Sequence, residues 1–101
     1  MEINNLVAHA RARFDHAAGR RLLKEKYEAR MLFAHAGGMW RAGPELQIVL
    51  MTCSDTEAVL LDLYENPVKV NVKELHAQSQ QRWQENMNAW HVEYENLNQN
   101  R

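Results

Sequence analysis

Trp83, Met87, Trp90, Tyr94 and Leu97 recur at spacings of four, three, four and three residues. That interval lines five large side chains along one stripe of a helix. Any fold of this chain has to cover the stripe with something. The flanking sequence predicts that the helix runs over 72–97. Asn71 stands where an N-cap belongs, and Glu74, three residues on, supplies the acid of a capping box. Such a helix is about 39 Å long, whereas a compact body of 101 residues is only about 34 Å across. Part of the helix should therefore project, and the aromatic end is the one expected to do so. Trp, Tyr and Met are enriched in interface cores, so the stripe reads as a surface for a second copy or another protein. The competing destination is the chain's own sheet or its first helix, whose apolar residues share the spacing. Amides such as Gln78, Gln81, Gln84 and Asn88 fill much of the remainder of this terminal helix.

The first 71 residues must then build the core. Ile3, Val7, Ala10, Phe14 and Ala17 predict a helix over 3–18, with Gly19 placed to close it in the left-handed conformation. A hairpin is expected over 28–42 around Gly37-Gly38. That turn would set His35 opposite Trp40 and Phe33 opposite Ala42, on a buried face shared with Met31. Pro44 and Glu45 start a short helix over 44–53. Ile48 to Met51 is so continuously apolar that a buried strand competes with it. A second hairpin over 58–71 pairs Ala58–Tyr64 with the alternating Val68, Val70 and Val72 across a Glu65-Asn66-Pro67 turn. The fold class is α+β: an N-terminal helix, two hairpins in one small antiparallel sheet with a short helix between them, and a long C-terminal helix.

Composition narrows the function classes. With 46% hydrophobic and 25% charged residues, the chain reads as one small soluble domain. No run approaches the roughly 18 apolar residues of a membrane span. Met1-Glu2-Ile3-Asn4-Asn5 lacks the layout of a secretory signal, so the expected location is the cytoplasm of the producing cell. Cys53 is the only cysteine and has no partner for an intrachain disulfide. The net charge of −1 conceals a gradient, with seven basic residues against four acidic ones over 1–31. Arg11, Arg13, Arg20, Arg21 and Lys24 make that third a candidate basic surface for nucleic acid or an acidic protein. The interspersed acids make it read more readily as a solvated helix face.

Chemistry is harder to find. His9 and His16 are seven residues apart without the i, i+4 pairing of a zinc site, and His35, His76 and His91 are scattered. Asp55, Glu57, Asp62 and Glu65 flank one hairpin, where acids commonly sit in turns. Gly37-Gly38 carries no phosphate-loop pattern. The sequence therefore nominates no catalytic residue, metal ligand or cofactor, and the expectation is a non-enzymatic protein.

Three segments carry a family likeness. These are Leu23-Lys24-Glu25-Lys26-Tyr27-Glu28-Ala29, Gly37-Gly38-Met39-Trp40 with Pro44-Glu45-Leu46, and Leu60-Leu61-Asp62-Leu63-Tyr64-Glu65-Asn66-Pro67-Val68-Lys69-Val70-Asn71. In them the chain resembles short proteins of T-even-like tailed phages, including cyanophages. The resemblance implies a virus-encoded accessory, assembly or virion protein, and it supplies no catalytic residues.

Overall fold

Two long antiparallel helices set the shape of the molecule. The computed structural model describes residues 2–99. Helix α1 spans Glu2–Arg30, strands β1 and β2 span Leu32–His35 and Gly38–Arg41, and α2 spans Pro44–Met51. Strands β3 (Glu57–Leu61) and β4 (Pro67–Asn71) follow, and α3 spans Val72–Gln99. The class is α+β, with the elements in the expected order. The radius of gyration is 19.4 Å and the extents are 68 × 23 × 21 Å, against about 13 Å for a compact chain of this length. A head of two hairpins and α2 sits at one end, and the α1–α3 pair forms a stalk.

The first helix does not stop at Gly19. It continues to Arg30, because Gly19 meets α3 rather than ending α1. A Cβ built there would lie 3.0 Å from a Leu97 methyl. The glycine therefore permits close approach of the two helices, at a cost of about 1 kcal/mol in helix propensity. The consequence reverses the expected projection. His16 Nε2 lies 2.9 Å from Asn98 Oδ1, so α3 ends level with the middle of α1. It is the N-terminal half of α1, not the aromatic end of α3, that projects.

The strands also differ from expectation. The first turn is Ala36-Gly37, with φ of 52° and 81°, as a two-residue turn between twisted strands requires. Gly38 belongs to β2, where a Cβ would meet Val68, Trp40 and Asp62 at 3.0–3.3 Å. Phe33 therefore pairs with Trp40 and His35 with Gly38. Relative to the predicted register this is a slip of two residues, which preserves the faces. Met31, Phe33, Trp40 and Ala42 are indeed buried together. Strand β3 ends at Leu61, so Asp62 lies in the loop and not in the strand. The expected short helix, rather than a strand, forms with Pro44 in its first turn, and it ends at Met51, two residues before the expected 53. Asn71 caps α3, accepting from the Glu74 amide at 3.1 Å.

The four strands form two separate two-stranded sheets rather than one. Between them a single backbone bond survives, Leu63 N–H to Met39 O at 2.9 Å. Beside it the Met39 amide donates to Asp62 Oδ2 at 3.1 Å. The chain then turns away at Gly43, whose φ is 143°, and enters α2. Continued pairing of β2 with β3 would need the strand that this turn removes. The core of the head joins Leu50 of α2, Val70 of β4 and Leu75 of α3 to the buried face of the first hairpin.

Candidate docking groove

Where the hairpins part, they leave an open groove of about 1040 Å³. Its walls come from the end of α1 (Glu25, Glu28, Ala29), from α2 (Leu46, Val49) and from β3 (Val59, Leu61), with Trp40, Trp83 and Trp90 also lining it. The rim is unusually apolar for free surface. Val59 and Leu61 are each 65% exposed, and Val49 and Leu63 are exposed beside them. Apolar patches of this kind on a small protein mark contact sites.

The backbone adds a second feature. Ala42 N–H donates to Met31 O, and Asp62 N–H to Asn66 O. Residues of even number in β2 and β3 thus face their own hairpin partners, and odd ones face outward. Leu63 N–H is taken by Met39 O, and the Met39 amide by Asp62. Arg41, Val59 and Leu61 have no backbone partner across the gap among the described residues. The groove therefore combines apolar side chains with accessible strand-edge groups.

Charge is distributed around it with one sign dominant. Glu25, Glu28, Glu45 and Asp62 line the groove against Arg41. Asp62 is committed to the fold. Its Oδ1 accepts from the Tyr64 and Asn66 amides at 3.0 and 2.9 Å, and its Oδ2 takes the Met39 amide. These bonds, foremost that to Asn66, hold its carboxyl below the ordinary aspartate range, against an opposing effect of burial. A lowered folded-state value means that the carboxylate adds stability above its unfolded pKa, and that this is lost as pH falls through the folded value. We expect the urea midpoint to hold from pH 7 to about 5 and to fall below about 4. In Asp62→Asn the midpoint should be lower at pH 7 and the acid limb shallower. An unchanged acid limb would remove Asp62 as the residue linking the hairpins.

The residues singled out in the sequence occupy definite places. The α3 stripe is largely taken up inside the chain, because α1 runs 12 residues further than expected and covers it. Trp83 and Met87 pack against the core of the head. Trp90 stacks on Tyr27 with ring centroids 5.8 Å apart and planes 9° apart. Leu97 meets Gly19, and Tyr94 is the most exposed of the five. The intrachain destination is thus the one realised, while Trp83 and Trp90 still line the groove. Arg11, Arg13, Arg20, Arg21 and Lys24 are all exposed on α1. Arg13, Arg20 and Lys24 share one side by their spacing, and Arg11 falls off it, so the five do not form a single stripe. Lys24 lies 3.8 Å from Glu28.

The histidines are spread through the molecule. His35 contacts Gln78 and His91 pairs with Glu95. Glu57 is bridged to Lys69 at 3.0 Å. Cys53 is half-buried, its thiol donating to Val49 O. Among the described residues, no helix is long and apolar enough to cross a membrane.

Val49, Val59, Leu61 and the projecting half of α1 were not singled out as surface features by the sequence. The signal for Val49 was present: α2 is apolar nearly all round, yet it is a short helix with only Leu50 buried. No protein-family model, curated protein or solved structure matches this chain.

Proposed function

We propose that this protein is a non-enzymatic interaction module whose docking surface is the groove between the two hairpins. Its occupant is an apolar protein segment bearing basic residues. The observation that carries this reading is the exposed apolar rim of Val49, Val59, Leu61 and Leu63 set beside Glu25, Glu28 and Glu45. The apolar surface supplies affinity, and the acids select a cationic partner and steer its approach. A virion or assembly role, implied by the resemblance to small tailed-phage proteins, is part of the proposal. The C-terminal stripe contributes through Trp83 and Trp90 rather than as a free helix face. The alternative, nucleic-acid binding through the basic residues of α1, draws support only from their exposure.

A fluorescein-labelled amphipathic peptide with leucines on one side and arginines flanking them serves as the probe. Anisotropy at low protein concentration should show saturable binding that weakens with added salt. The pair Val49→Asn and Leu61→Asn, both at exposed positions, should weaken it by about tenfold with the circular dichroism unchanged. A counterpart peptide with glutamates in place of arginines should bind less tightly. Equal binding of both peptides, or no effect of the paired substitution, would remove the groove as the docking site. Duplex and single-stranded DNA in the same assay should leave the anisotropy flat.

A further inference from the structure

We infer that the occupant of the groove is the projecting half of α1 from a second copy of this chain, exchanged reciprocally in a two-fold symmetric dimer. The inference rests on the groove being a docking site, and it identifies the partner. It starts from a helix that has no cover. Residues 6–15 of α1 are exposed without exception, Leu6 and Phe14 at 68% and 69%. A free helical segment of about 14 residues is marginal in water. Something packed along it would account for its apolar residues.

The face of α1 that carries them is defined by spacing. Val7, Ala10, Phe14 and Ala17 follow one another at three and four residues, and the same interval continues through Arg21, Lys24 and Glu28. The face packed on α3 is a different one. It holds His16, Gly19, Tyr27 and Lys26, which meet Asn98, Leu97, Trp90 and Glu93. At about 100° per residue the two faces point about 160° apart. The apolar stripe therefore looks away from α3, and lower on the same helix that face passes Glu25 and Glu28 at the wall of the groove.

Charge then selects the partner. Arg11 and Arg13 flank the stripe, one about 80° to each side. Two such stripes pairing with each other would bring arginines together. The groove presents the opposite arrangement, with Glu25 and Glu28 on its α1 wall and Glu45 on its α2 wall. The centre of the stripe, near Ala10, and the groove wall, near Glu28, are about 27 Å apart along α1. A two-fold axis crossing α1 midway, close to Gly19, carries each stripe onto the other copy's groove. In that antiparallel alignment, setting Arg11 beside Glu28 of the second copy also sets Asp15 beside its Lys24. It sets Ala10 beside its Ala29, a groove-lining residue. The same register sets Phe14 beside Glu25 at the groove wall and places the two Arg21 side chains either side of the axis. The contact is the same patch on both chains, as a closed dimer requires.

Sedimentation equilibrium across a range of concentrations tests this on the whole chain, whose mass is 11.8 kDa. The expected species at high micromolar concentration has twice that mass. Arg11→Glu and Glu28→Arg should each weaken dimerisation by about tenfold. The two substitutions combined in one chain should restore it, since each pair is then reversed but intact. Both positions are exposed, so circular dichroism should stay constant. As a second variant, Phe14→Ser should give monomer. A chain that stays monomeric, or a dimer insensitive to these substitutions, overturns the inference. In that event, binding of the arginine-flanked peptide by the monomer leaves the groove reading standing. Charge-swap rescue without any peptide binding has the converse meaning: the helices pair, and the groove takes no part.

Discussion

Replacing Trp40 by alanine should lower the free energy of unfolding by about 3–5 kcal/mol, the range for deleting a large aromatic from a packed core. The indole is 2% exposed. It packs with Met31, Phe33, Ala42 and Leu50, and its Nε1–H donates to His35 O at 3.0 Å. A domain of this size has only about 5–15 kcal/mol in total. The head is a small core served by three helices and two hairpins, so its neighbours have little means of collapsing into the space. The variant should be partly unfolded at room temperature, shown by a urea midpoint close to zero in circular dichroism. Trp40→Phe keeps most of the volume and loses the hydrogen bond, and should cost about 1–2 kcal/mol. A loss below about 1 kcal/mol in Trp40→Ala would mean that the indole does not organise the head.

Trp40 also shows how much of the fold can be read from the chain. Its burial with Met31, Phe33 and Ala42 follows from alternation, and it survives a turn placed one residue late, because a two-residue register slip keeps each side chain on its face. The turn itself was not legible. Gly37-Gly38 offers two residues tolerant of positive φ, and only the packing of Val68 and Asp62 around Gly38 reserves that glycine for the strand. Gly19 misleads in the same way: local rules read it as a stop, while its use is decided by Leu97, 78 residues further on. The cap at Asn71 was legible because both halves of it are local. The α3 stripe was legible as a stripe, and its burial was not, since that depends on how far α1 continues. The groove was the least legible part. It exists because β2 turns off at Gly43 after one rung, and the odd residues of β3 are then left facing open space.

Tyr27→Ala is expected to have an equally large effect at the junction of head and stalk. The ring is 1% exposed and stacks on Trp90, while Lys26 and Arg30 each approach its centroid to 5.3 Å. Lys26 also bonds Glu93 at 2.7 Å. That bond, with help from the Tyr27 hydroxyl and Arg30, holds the Glu93 carboxyl below its ordinary range. Deleting the ring removes the stack and the surface on which both cations rest. The loss should be about 3–5 kcal/mol by the measure used for buried aromatics. It should also be uneven. The N-terminal half of α1 has no contact of its own with the head, and a lone helix of that length does not persist. Amide exchange should accelerate first over residues 6–20 and 90–98, before the protection of β1–β4 is lost. Uniform acceleration would show that head and stalk unfold as one unit. Phe14 provides the contrast, being 69% exposed on the same helix. Its removal should leave the unfolding of the monomer within about 0.5 kcal/mol of the parent while abolishing association. In the proposed dimer Tyr27 serves the fold of one chain, and Phe14, 13 residues earlier on the opposite face, serves the pairing of two.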